Sequence, residues 1–235
     1  MERVPIGINN FESLIGGGYP KNRSMLVVGT TGSGKTIMGL HFINQGCIDG
    51  KKCMIIATEE LPEDILTQSE SLGMHLKDYY EKGDLTIERV YEERTGHVKN
   101  VMGFGIEKLD DLESNILGLL ERIPADTEIV LIDNLGVLTL NMSVNEFRAQ
   151  FDLMIRGLST KNITSMVILD TSANERTGDT AAYSVSGVIK MSIKDNPFTG
   201  ARERLIDILK IRNTKIPLDP IRFDITSGGI TLLKK

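Results

Sequence analysis

The stretch VVGTTGSGKT, residues 27–36, sets three glycines and a lysine directly behind an apolar run. Gly29, Thr30, Thr31, Gly32, Ser33, Gly34, Lys35 and Thr36 together fit the pattern G-x-x-x-x-G-K-[ST]. The residues "SMLVVG" ahead of the loop read as a buried strand and residues 35–46 as a helix, which is the setting in which such a loop holds phosphate. Gly32 and Gly34 allow the backbone to wrap an anion with its N–H groups, and the helix dipole adds positive potential. Lys35 reaches the terminal phosphates and Thr36 offers a hydroxyl to Mg²⁺. A glycine-rich turn that merely joins strand to helix is the plain alternative, and the flanking strand and helix weigh against it.

Working outward, "CMIIAT" reads as a strand, residues 62–73 as a helix opening at Pro62, and "LTIERV" as another strand. Residues 108–123 and 145–161 read as helices, each followed by an apolar run, "EIVLID" and "SMVILDT", whose β-branched residues suit strands buried on both faces. Ahead of the loop, Ile8, Phe11, Leu14 and Ile15 repeat at helical spacing before "GGGYP" stops the helix. Beyond about residue 185, "GVIKMSI", "RERLIDILKIRN", "IRFDIT" and "GITLL" are separated only by turn residues, so they pair antiparallel. The expected fold is α/β: a P-loop core with a mostly parallel twisted sheet flanked by helices and a C-terminal antiparallel extension, in one domain over 1–235. Residues 91–108 are expected to form a loop, as are the segments after Asp133 and Asp170.

A triphosphate site needs an acid to position its metal, and Asp133 at the end of "EIVLID" has the Walker B placement. Capping of the next segment is the alternative. Ligands in open parallel sheets bind beyond the carboxyl ends of the strands, where Gly29, Glu59, Glu60, Asp133 and Asp170 all fall. Strand alternation predicts that only one of Glu59 and Glu60 faces the γ-phosphate, to orient or deprotonate the attacking water. Alternatively both complement the dipole of the helix that opens at Pro62.

Charge and composition exclude several classes. The 235 residues carry 27 lysines and arginines against 32 acids, a formal charge of −5 that gives no footprint for nucleic acid. "NLGVLTLNMSVNE" has no basic residue and "TSANERTGDTAAYS" only Arg176, poor equipment for single-strand binding. The amino-terminal residues carry no export signal and the apolar runs are too short to span a membrane, so a cytoplasmic protein is expected. Cys47 and Cys53 fit a reducing compartment and core positions. His41, His75 and His97 are scattered, and Tyr79 and Tyr80 are expected to pack against the domain rather than stack on a base.

The segments "VPIGINNFESLIGGGYPKNRSMLVVGTTGSGKT", "TEELPEDI", "SLGMHLKDYYEKGDL", "LKIRNT" and "RFDITSGGI" together resemble a single-domain KaiC-like ATPase of the RecA superfamily over nearly the whole chain. The resemblance implies a RecA-like core that assembles with itself into a ring, usually a hexamer, with ATP between neighbouring subunits. The leading expectation is a slow, ring-forming ATPase that uses Mg²⁺ and couples its nucleotide state to a protein partner. By position the resemblance makes Glu59 and Glu60 the paired catalytic glutamates and sets Ser71, Thr214 and Thr226 where the family touches nucleotide. Lys210 and Arg212 match its Lys-x-Arg, which reaches the γ-phosphate of ATP on the adjacent subunit. Read without the family, these two share one face of a strand, where like charges need an anion or water. Asn213 replaces a glycine common within that motif, and Ser227 stands where an acid often follows the threonine. No counterpart of the clock protein's autophosphorylation sites is present. Two rival functions remain: a nucleotide-gated scaffold of negligible turnover, similar to the ATP-binding protein of the archaellum motor, and a recombinase paralogue acting on DNA, which the acidic balance disfavours.

Overall fold

A computed structural model describes residues 2–90, 116–139, 142–170 and 175–233. Successive residues of a strand point to opposite faces, and the strands around the phosphate loop are apolar on both. β3 (Ser24–Gly29) and β4 (Cys53–Ala57) are buried throughout; β6 (Ile129–Asp133) and β7 (Thr164–Asp170) are buried up to their last residue. Met25, Val27, Ile55, Leu131 and Ile168 enter one core, while Leu26, Val28, Met54, Ile56, Val130 and Val167 enter a second. A sheet with two apolar faces must be covered on both.

The first face is covered by α2 (Lys35–Ile48), α3 (Pro62–Ser71) and α4 (Leu76–Lys82), through Met38, Phe42, Ile65 and Leu76. Gly39 brings α2 close to β6: a Cβ there would come within 2.8 Å of the Leu131 methyls. The second face is covered by α5 (Val144–Thr160) and α6 (Glu175–Ser184). Phe147, Phe151, Met154 and Leu158 of α5 recur at helical spacing and are buried, each contributing roughly 1.5–3 kcal/mol. Ser143 caps α5, its Oγ accepting from the Glu146 N–H at 3.2 Å, an arrangement worth about 1 kcal/mol.

With β5 (Leu85–Arg89), β8 (Gly187–Asp195), β9 (Arg202–Ile211), β10 (Ile221–Thr226) and β11 (Gly229–Leu232), the main sheet runs β11-β10-β9-β8-β3-β7-β6-β4-β5. From β8 to β5 neighbours are parallel; β9, β10 and β11 join antiparallel, as the turn-linked sequence predicts. β1 (Arg3–Val4), α1 (Phe11–Leu14) and β2 (Tyr19–Pro20) form the leader, in which the Glu12 carboxylate accepts from the N–H groups of Ile6, Gly7 and Ile8.

His41 of α2 ties both ends of the chain to this core. Its Nε2 accepts from the Ile230 N–H at 2.9 Å, which leaves Nδ1 as the donor to the Gly7 carbonyl at 3.0 Å. The ring is neutral in this arrangement, and burial holds its pKa below the ordinary value.

Three expectations need correction. The segment after Asp170 contains α6, which forms despite a polar composition because Thr177, Ala181 and Val185 are buried against the core. A 3-10 turn, Leu135–Thr139, follows β6 directly where a loop is expected. Of the helix expected over 108–123, the described part is a 3-10 turn, Leu117–Leu120; residues 108–115 and the expected loop over 91–108 lie outside the described residues. Cys47 and Cys53 are buried free thiols, in keeping with core positions. Tyr79 packs on the first core and Tyr80 is exposed.

Candidate functional site

Parallel pairing aligns the strand ends: Gly29 lies across from Asp170, and Ala57 across from Asp133. Beyond this edge lies a cleft of about 550 Å³ bordered by Thr31, Gly32, Lys35, Thr36, Glu59, Glu60, Asp133, Asn134 and Asp170, within the usual size of a ligand site. Gly32 and Gly34 have φ of 78° and 98°, a region that glycine enters without the steric cost other residues bear. At Gly34 a side chain would also crowd Met191, Phe223 and Ile225. The C-terminal strands therefore buttress the phosphate loop, and Ile225 lines the cleft.

Lys35 opens α2 and is 8% exposed. Its Nζ donates to the carbonyls of Gly29 and Thr30, both at 2.9 Å, and to Asp170 Oδ2 at 3.0 Å. Thr31 Oγ1 donates to the same carboxylate oxygen at 3.1 Å. Ser33 Oγ is buried inside the loop and has no hydrogen-bond partner among the described residues.

At Asp133 burial pushes the pKa up to about 6, the neighbouring Glu60 and Glu59 push the same way, and a hydrogen bond from Thr36 and the Lys35 charge oppose them. Glu60 is raised as well, by burial first and then by Asp64 and Glu59. Both glutamates border the cleft, and the strand alternation behind the expectation that only one meets the γ-phosphate does not govern residues 59 and 60, because β4 ends at Ala57. A recess of about 20 Å³ beside them, also bordered by Leu40, Ile65 and Asp133, has room for about one water molecule.

Asn134 is a structural residue of the site that sequence reading passes over. Its side-chain carbonyl accepts from Gly136 N–H at 2.7 Å and from Asp170 N–H at 3.3 Å, while its backbone exchanges hydrogen bonds with the Thr58 hydroxyl at 3.1 and 2.8 Å. One buried asparagine thereby joins the ends of β4, β6 and β7. Its partners Thr58 and Asp170 are remote in sequence, so no local pattern marks it.

The donor set suits a hard divalent cation. The Thr36 hydroxyl and the desolvated Asp133 carboxylate are oxygen ligands side by side, and Mg²⁺ is commonly held by one or two such groups together with substrate phosphates. Among the described residues no group of three or more His, Cys, Asp or Glu side chains is arranged to hold a metal alone.

The remaining candidates lie elsewhere. Thr226 ends β10 beside Ile225, and Gly73, just past Ser71, adjoins Ser227, so Ser71 and Thr226 sit near one rim of the cleft without lining it. Thr214 accepts from Arg3 Nη2 at 2.7 Å and donates to the Arg212 carbonyl at 3.2 Å, away from the cleft. Lys210 and Arg212 stand at the opposite end of the sheet. Gly29 pairs with Met191 of β8, whereas Ile211 pairs with Gly187; four residues of strand, roughly 13 Å, separate the two levels. Arg212 is exposed and donates to the Tyr183 carbonyl at 3.0 Å. Lys210 is half-buried, and its pKa is lowered by burial and then by Arg212.

Comparison with known proteins identifies the family and the fold. A family model described as "ATPase: KaiC" matches residues 4–235. A UPF0273 protein of Saccharolobus solfataricus is 29% identical, over 98% of this chain and 82% of its own length. The circadian clock oscillator protein KaiC of Prochlorococcus marinus is 27% identical over 99% of this chain, which spans 46% of that protein. The crystal structure of a KaiC-like protein from Pyrococcus horikoshii superposes with a TM-score of 0.77 at 21% identity, covering 99% of each chain, and so shares the fold. Among the described residues no helix is long and apolar enough to cross a membrane.

Proposed function

The chain belongs to the KaiC family of ATPases, and on that premise we propose that it binds ATP with Mg²⁺, hydrolyses it slowly within a homo-oligomeric ring, a hexamer in the family pattern, and couples its nucleotide state to a protein partner. The observation that supports this reading is the separation of charge along the sheet: a phosphate loop with its acids stands at one end, and Lys210 and Arg212 at the other. Bound Mg²⁺ would neutralise phosphate charge as it develops. The loop N–H groups and Lys35 would take the phosphates, and Thr36 with Asp133 would hold the metal. Glu59 and Glu60 accept hydrogen bonds from the attacking water, Glu60 being the better proton acceptor because its pKa is raised. Lys210 and Arg212 reach the neighbour's γ-phosphate, where a cation is worth most in the transition state.

Phosphate release measured together with native mass, with and without ATP and across protein concentration, tests this. ATP should drive ring formation, and the specific rate of release should rise with the fraction in rings. Rings without release would leave a nucleotide-gated scaffold. Release at full specific rate from monomers would refute the divided site.

A further inference from the structure

A lysine ammonium has three protons to donate, and the structure accounts for all three of Lys35: the Gly29 carbonyl, the Thr30 carbonyl and Asp170 Oδ2. Two of the acceptors belong to the loop itself. The third is an anion from another strand, brought alongside because Gly29 and Asp170 are register partners of β3 and β7. The ion pair is sheltered, with Lys35 8% and Asp170 19% exposed, so solvent and salt screen it weakly. Thr31 Oγ1 donates to the same Oδ2 and holds the carboxylate over the loop. Asp133, the other aspartate of the cleft, is turned to Thr36 instead.

We propose that Asp170 is a built-in competitor of nucleotide phosphate: its carboxylate and a phosphate oxygen take the same proton of Lys35, so nucleotide enters by displacing Asp170 and the site's affinity is set by that exchange. This rests on residues 29–36 being a phosphate loop. A ligand pays for the lost ion pair out of its own contacts with Lys35, and weakening the competitor tightens the ligand. A carboxylate that instead helps to hold nucleotide would have the opposite effect when neutralised.

Asp170→Asn keeps the shape and the Thr31 contact while removing the charge. Charge-assisted hydrogen bonds are roughly twice as strong as neutral ones, so the variant should bind a fluorescent ATP analogue about tenfold more tightly than the wild-type chain. Thr31→Val, which removes the hydrogen bond that holds the carboxylate over the loop, should tighten binding by a smaller factor, about threefold. Thermal unfolding separates this from general damage: without nucleotide Asp170→Asn should melt lower, and the rise on adding ATP should be larger than in wild type. Unchanged or weaker ATP affinity in an Asp170→Asn chain that still unfolds cooperatively overturns the proposal; if Asp170→Asn does not fold, Thr31→Val decides alone. Wild type that binds while Asp170→Asn gains nothing sinks only the competitor. If neither wild type nor Asp170→Asn binds ATP, the phosphate loop itself is refuted and the competitor falls with it.

Discussion

The two ends of the main sheet carry opposite kinds of charge in opposite states. At the carboxyl end of the parallel strands Asp133, Asp170, Glu59 and Glu60 surround one buried lysine, and polar groups there are tied into each other through Asn134, Thr58 and Thr31. At the other end Lys210 and Arg212 stand side by side, and among the described residues neither forms an ion pair with an acid. Excess negative charge inside a cleft and unneutralised positive charge on a rim are each costly alone. The difference teaches that charge in this sheet is sorted by end: acids outnumber the one buried lysine in the cleft, and two cations stand together on the opposite rim.

Breaking the basic end should give the largest effect. A Lys210→Ala/Arg212→Ala chain keeps its own loop and should bind ATP normally yet hydrolyse it about 10³-fold more slowly, the scale of an arginine-finger loss. Mixing it with a Lys35→Ala chain should restore part of the activity, because one subunit lends the cations and the other the loop. Mixed rings seen by native mass spectrometry without recovered activity would refute the exchange.

The acidic end is sharpened through Asp133. Its folded pKa of about 6 lies above the ordinary value of 3.8, so the fold favours the protonated form. That contribution is fully present below pH 3.8 and is lost as pH rises through 6. At neutral pH the ionised carboxylate therefore destabilises the metal-free chain by roughly 3 kcal/mol. Asp133→Asn should abolish Mg²⁺-dependent turnover yet raise the melting temperature measured without Mg²⁺ by several degrees, a trade of stability for function. A lower melting temperature would show that the carboxylate is structural.

The smallest expected effect lies outside both ends, at His41. Its pKa is lowered by burial, so the stability it contributes is present above its unfolded value of about 6.5 and is lost as pH falls through the folded value. Protonation removes the acceptor used by the Ile230 N–H. His41→Ala should cost about 1–3 kcal/mol at pH 7, because the Gly7 carbonyl and Ile230 N–H lose their partner, and should flatten the acid side of a stability profile. Nucleotide affinity should change little by comparison.

The parallel core and the phosphate loop were legible because each is written in contiguous residues: β-branched runs for strands buried on both faces, and glycines at fixed offsets for the loop. Asp133 was legible as an acid closing such a run. What escaped was written across the fold. That Glu59 and Glu60 share the cleft depends on β4 stopping at Ala57, a boundary set by the crossing to α3 and not by composition. The partnership of Asp170 with Lys35 spans 135 residues. α6 looked like a loop because "NERTGDT" has weak helix propensity; packing against α5 overrides it. Lys210 and Arg212 looked like a solvated strand end from composition alone, and only the resemblance singled them out.

In the proposed assembly the phosphate loop of one copy meets Lys210 and Arg212 of the next, surfaces set roughly 13 Å apart along β8 of each chain. A two-fold dimer presents the same patch from both partners; the proposed union is head to tail instead, each copy giving one surface and receiving the other. Such a contact closes into a ring only when the rotation per copy divides a full turn, and otherwise continues as an open helix. A substitution that tilts β9 by a few degrees would leave every contact in place and still turn a closed particle into a filament.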